Sequence, residues 1–246
     1  MKIIISPAKK LDISLKVQNS KMNTSFLSES TKLIQILKKK SVLEIKDLMG
    51  LSDNLAQLNW KRVQDWDIEN RNTYKALELF NGAVYEGIDA KNFSKSDNNF
   101  AQNNLRIISG LYGILKPNDF ILPYRLEMGT KLKTIKGNNL YSFWLDNLHQ
   151  NIREELNNEV LINLASNEYS KVLKLNKLKS EVITPVFKDY KNGKLKVISF
   201  YAKRARGEMV NFIIKNRITS YEDLKLFKNN GYAFSDNNNG NILFVR

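Results

Sequence analysis

The spacing of apolar and polar positions divides the chain into helices and strands that alternate along its whole length. Lys2–Ser6 (KIIIS) is a continuous apolar run closed by Pro7, the pattern of a buried strand. Phe26, Leu33, Ile36 and Leu37 give Phe26–Lys39 a helical apolar face. Ser41-Val42-Leu43-Glu44 has the form of a capping box, in which serine and glutamate satisfy each other's backbone amides. Gly50 closes the helix so opened. Ser52 or Asp53 caps the next helix, with Leu55, Leu58, Val63 and Trp66 on its apolar side. Further helices are predicted over Asn72–Phe80, Asn139–Leu156 and NNLRIIS, residues 103–109, which ends the polar stretch Lys91–Asn104.

The second half of the chain continues the alternation. Glu159–Ala165 is a strand, followed by SNEYSKVLK as a short helix. Glu181–Phe187 and Lys194–Phe200 are β-rich runs on either side of Asn192-Gly193, a favoured hairpin turn. A helix is predicted from Tyr201 to Asn216, and Thr219 or Ser220 caps another. Gly231–Phe234 and Ile242–Val245 read as closing strands around a loop, Asp236–Asn241. Neither a Pro/Gly/Ser-rich linker nor an internal repeat interrupts this order. The fold class predicted is α/β, a single mixed-sheet domain over residues 1–246.

Composition narrows the function classes. With 42% hydrophobic residues among 246, the chain can bury a core. It has no run of eighteen apolar residues, and its opening holds only three consecutive isoleucines. It has no cysteine. These features predict a cytoplasmic protein without disulfides or a membrane span. A single histidine, His149, in an otherwise helical segment leaves no soft-ligand set, so neither a metal nor a cofactor is expected. The nucleotide-loop and nucleophile-elbow motifs are also missing. Gly82 and Gly87 have the spacing of a phosphate loop, but Ile88 stands where lysine is required.

The net charge of +14 changes the picture most, because it fits a polyanionic partner. Lysine, asparagine and isoleucine are all abundant, as a biased base composition alone would produce, so the arginines carry more information. Residues 201–207 read YAKRARG. Lys203, Arg204 and Arg206 fall at the predicted start of a helix, where a cation is disfavoured by about 0.3–1 kcal/mol. A bound anion would turn that cost into attraction, and an ordinary solvated basic face is the plain alternative.

Three other stretches could carry chemistry. Ile107–Asp119 (IISGLYGILKPND) reads as two helices joined by a tight turn over Ser109, Gly110, Leu111, Tyr112 and Gly113, with Lys116 beyond. Such a turn can offer main-chain amides to a phosphate, although glycines there are also ordinary caps. Leu122–Lys131 sets Tyr124, Arg125 and Glu127 close together, as an ion pair or as an acid with its orienting partner. The loop after the first strand brings Lys9, Lys10 and Asp12.

Seven blocks then occur in order: ISPAKKLD, LRIISGLYGILKPND, PYRLEMGTKL, NLYSFW, LINLASNEY, ITPVFKD with KNGK, and ISFYAKRARG. Together they resemble the YaaA family of bacterial peroxide-stress proteins from Ile3 to Arg217. The resemblance implies a cytoplasmic protein that limits damage by unincorporated iron. It also implies an α/β fold with a helix-hairpin-helix element, a basic cleft, and DNA, duplex or distorted, as partner. LRIISGLYGILKP would be the helix-hairpin-helix element, with one residue more between its glycines than the common form. Ser109 to Gly113, Lys116, Lys203, Arg204 and Arg206 would then contact DNA phosphates, largely independently of sequence. Neutralising roughly 5 phosphates would give a log–log salt slope of about −4 to −5. The rival expectation is an enzyme acting on a nucleotide or nucleobase, with Lys9, Asp12, Tyr124, Arg125 and Glu127 as catalytic candidates beside Lys203 and Arg206. A third, an iron chelator, suffers from the shortage of soft ligands.

Overall fold

Ile3, Ile4 and Ile5 are all fully buried in Lys2–Ile5 (β1), which lies inside the main sheet of this computed structural model, in which residues 1–238 and 240–246 are described. The other strands are Leu105–Ser109 (β2), Gly113–Leu115 (β3), Leu161–Asn163 (β4), Val182–Lys191 (β5), Lys194–Lys196 (β6), Ala233–Asn238 (β7) and Asn241–Val245 (β8). Among the described residues they form one eight-stranded sheet in the order β7-β8-β5-β4-β1-β2-β3, with β6 added to β5. The pairs β2–β1, β1–β4, β4–β5 and β5–β8 are parallel. The strands β3, β6 and β7 pair antiparallel. Beyond Lys2, β1 is buried at every position, as are β2 and β4, which is what central parallel strands covered on both faces show.

The helices used below are Leu27–Lys38 (α1), Val42–Met49 (α2), Asp53–Gln64 (α3), Ala83–Ile88 (α4), Lys95–Asn104 (α5), Leu140–Leu156 (α6) and Ser199–Lys215 (α7). The Ser41 capping box forms as read: the Glu44 amide donates to Ser41 Oγ at 3.3 Å, and the Ser41 amide donates to Glu44 Oε2 at 2.8 Å. Gly50 takes the left-handed conformation, φ +60°, that ends α2. Asn192 and Gly193 have φ of 54° and 72°, so the hairpin between β5 and β6 turns as predicted. Its second strand stops at Lys196 because α7 begins at Ser199.

Several expectations are corrected. LRIIS is not helical. It is β2, buried at every position, and paired with β1 and β3. A five-residue segment has no period that separates strand from helix, and its pairing partners decide. The two glycines therefore join strands: the described residues contain a strand–turn–strand hairpin at Ser109–Gly113 and no helix-hairpin-helix. Of Asn72–Phe80, only Ala76–Leu79 forms a helical turn, flanked by short strands pairing with Phe120–Ile121 and Lys10–Leu11. In α3 the buried residues are Ala56, Asn59 and Val63, and Trp66 just beyond it is buried too, so the apolar side forms as expected at Val63 and Trp66 while Leu55 and Leu58 face solvent. Asp236 to Asn238 extend β7, whereas Asn239 of the predicted loop lies outside the described residues. Among the described residues, no helix is long and apolar enough to cross a membrane.

Candidate functional site

The segments after β1 and β4 start side by side, since Ile4 is in register with Asn163. The next parallel strand after β1 in the chain, β2, lies on one side of it, and the next after β4, which is β5, lies on the other. The two loops therefore part, and a crevice opens beyond the carboxyl ends of the strands. Such topological switch points are where open α/β sheets bind ligands. Here the crevice is a cavity of about 350 Å³. Lys9 and Lys10 reach it from the loop after β1, Glu168 and Tyr169 from the segment after β4, and Lys203 and Arg206 from α7.

The rest of the wall is fixed by two close contacts. Ser6, at the end of β1, accepts a hydrogen bond at Oγ from the Ser166 amide at 2.9 Å. The Tyr85 hydroxyl donates to the Ser6 carbonyl at 3.0 Å. Both bonds tie the two loops and α4 into one rim. Opposite them, α7 crosses α4 glycine to glycine: a Cβ at Gly87 would meet the Arg204 carbonyl and Gly207. That approach brings Lys203 and Arg206 against Ala83–Tyr85.

Arg206 is half-buried and has no hydrogen-bond or ion-pair partner among the described residues. Burial lowers its pKa from the ordinary guanidinium value, which still leaves it charged. Lys203, on the same helix, is exposed and also unpaired. Burial raises the pKa of both Tyr85 and Tyr169, so their hydroxyls stay protonated at neutral pH. Glu168 accepts the Gly129 amide at 2.9 Å through Oε1. The cavity thus has three cations without a partner among the described residues (Lys10, Lys203 and Arg206), a paired one (Lys9), one carboxylate and two tyrosines.

The remaining predicted residues fall into other surroundings. Glu127 receives Lys9 at 2.7 Å and Arg125 at 3.1 Å, so it braces the cavity rim from behind. Tyr124 is buried and shares a hydrogen bond of 2.6 Å with Ser109. Asp12 faces a neighbouring acidic cavity with Glu78, Glu86 and Asp89, and accepts hydrogen bonds from the hydroxyl and amide of Ser14, which lower its pKa. Arg204 is turned to the buried Glu208 at 3.1 Å. Lys116 lies beyond Leu115, at the opposite ends of the strands from the cavity, near Arg106. Arg106 itself is buried, bonding carbonyls at the end of α5 and Glu155.

The turn expected to hold phosphate is inside the protein. Ser109, Gly110, Leu111, Tyr112 and Gly113 are all buried. The amides of Leu111 and Tyr112 donate to Ser109 Oγ at 3.2 and 2.9 Å, and Trp144 Nε1 donates to the Gly110 carbonyl at 2.9 Å. Gly110 is glycine because a Cβ there would strike the Leu126 carbonyl. The turn therefore supports the Leu126–Glu127 segment, and through Glu127 the position of Lys9. The cations of α7 also do not sit in its first turn, since the helix starts at Ser199. What draws an anion to them is the cavity they line.

The chain matches the family described as "Peroxide stress protein YaaA" over residues 1–238. It belongs to that family. Relatives include a UPF0246 protein of Aliivibrio fischeri strain MJ11, 48% identical over 240 residues, covering 95% of this chain and 93% of that protein. A UPF0246 protein of Flavobacterium psychrophilum is 47% identical over 248 residues, covering 99% and 98%. The family blocks ISPAKKLD, LINLASNEY and ISFYAKRARG are the three that converge on the cavity. Glu168, Tyr169, Ser166 and Tyr85 escaped the sequence reading. The signal for them is that SNEY and SPAKK both follow apolar strands.

Proposed function

We propose that this peroxide-stress protein binds duplex or distorted DNA by its phosphates and so protects it from iron-dependent oxidative damage. The observation that carries this reading is Arg206, a half-buried guanidinium with no carboxylate of its own, flanked by Lys203 and Lys10. A cation withheld from water and left without an internal partner gains most from an incoming anion. The net charge of +14 supports long-range attraction of a polyanion. The interface differs from the one expected from sequence. It uses the loop after β1 and α7, with Arg204 able to add charge at the edge, and excludes the buried Ser109–Gly113 turn.

With about four phosphates neutralised, the log–log salt slope should be about −3 to −4. Titration of a duplex and of a four-way junction at two salt concentrations tests this. Lys203→Glu with Arg206→Glu should weaken binding on both, with little change in sequence preference. A slope near zero, or unchanged affinity in the double variant, rules the reading out.

A further inference from the structure

A charged groove that only tracks a DNA backbone needs neither aromatic walls nor a carboxylate. This cavity has both, in Tyr85, Tyr169 and Glu168. Its volume of about 350 Å³ falls within the range of small-ligand sites, about 300–1,000 Å³. It also lies at the switch point of the parallel sheet, where the two loops diverge. We infer that the cavity between the loops after β1 and β4 and helix α7 is a binding site for a single nucleoside monophosphate. The inference rests on the phosphate-binding reading above and deepens it: the same cations receive a terminal phosphate monoester rather than a passing phosphodiester.

The lining supplies two kinds of chemistry. Four cations line the cavity against one carboxylate, Glu168. A phosphate monoester carries about −1.5 to −2 charges at neutral pH, so it offsets roughly half to two-thirds of that surplus, whereas a phosphodiester carries less. Arg206 presents a planar fork suited to two phosphate oxygens, and Lys203 a mobile point charge at the mouth. The uncharged lining suits a nucleoside. Pro7, Val84 and Leu164 give apolar wall, and Tyr85 and Tyr169 give ring surface. Asn81 can both donate and accept, and Glu168, held by the Gly129 amide, keeps acceptor capacity for a sugar hydroxyl or a base amine.

The test is calorimetric titration of the full chain with each common nucleoside monophosphate, the matching nucleosides, ribose phosphate and inorganic phosphate. Saturable binding of at least one monophosphate is expected, with its nucleoside and inorganic phosphate each at least about tenfold weaker. Arg206→Gln should weaken monophosphate binding by about tenfold or more, and Glu168→Gln should reduce the preference for monophosphate over inorganic phosphate. Lys203→Gln, at an exposed position, repeats the first measurement without risk to the core. Lys116→Gln, at the other end of the sheet, should change nothing. If no monophosphate binds while duplex DNA does, with the predicted salt slope, the inference fails and the DNA reading stands. If neither binds, both fail. Monophosphate binding untouched by Arg206→Gln and Lys203→Gln also overturns the inference, because the site is then elsewhere. Equal affinity for inorganic phosphate and every monophosphate overturns its nucleoside part.

Discussion

Gly207 of α7 lies so close to the carbonyl of Val84 in α4 that a Cβ on it would overlap that oxygen. Both helices line the cavity, α7 with Lys203 and Arg206 and α4 with Ala83 to Tyr85. Their spacing is therefore set by the absence of a side chain. Gly207→Ala must push the helices apart, and overpacking of this kind costs about 1–3 kcal/mol. The expected result is a lower melting temperature together with weaker phosphate binding, although no charge has changed. Binding at full strength in a destabilised variant would disconnect the crossing from the site.

Gly110→Ala separates support from contact. A Cβ there meets the Leu126 carbonyl, so stability should fall by about 1–3 kcal/mol. The turn is buried and its Leu111 and Tyr112 amides are already taken, so the salt slope for DNA should stay the same at temperatures where the variant is folded. A flatter slope would return the turn to the interface.

Glu127→Gln removes the carboxylate shared by Lys9 and Arg125. Lys9 is mostly exposed, so the loss of stability should be only about 1 kcal/mol. Lys9 is then released toward the cavity, and affinity for DNA or phosphate should hold or rise. A large fall in affinity would mean that Glu127 takes part in binding rather than bracing the rim.

Asp97 gives a pH prediction. Lys215 at 2.9 Å, the Ser94 amide and Arg217 at 2.6 Å hold its pKa well below the usual carboxylate range. A group whose folded pKa is depressed stabilises the protein above its unfolded pKa, about 4, and that contribution is lost as pH falls through the window down to the folded value. In this window the unfolded chain takes up a proton that the folded chain refuses. Thermal melting from pH 7 downward should therefore show a steeper loss below about pH 4 in the wild type than in Asp97→Asn. Parallel curves would show that the cluster joining α5 to α7 adds no net stability.

Much of this was written locally. The Ser41–Glu44 box, the Gly50 stop, the Asn192-Gly193 turn and the strand KIIIS were legible because each depends on residues within a few positions of one another. Segments whose partners lie far away in the chain were not legible in this way. LRIIS becomes a strand because β1 lies beside it, a fact about residues a hundred positions away. Gly110 reads as a cap in the sequence and Gly207 carries no local signal, yet each is required by a backbone that arrives from elsewhere.

The cavity divides in the same way. Its cations and its family blocks could be picked out from the order of residues, since charge and motif are properties of the chain itself. Which cations remained unpaired could not. Arg106, Arg125 and Arg204 found carboxylates or carbonyls, and Arg206 did not. That outcome depends on long-range packing, because an ion's availability is set by what the fold brings within hydrogen-bonding reach. The sequence by itself determined the positive charge, the family and the local elements. Tertiary structure decided that the glycine turn is buried, that Arg206 opens on a cavity, and that Glu168 and two tyrosines share it.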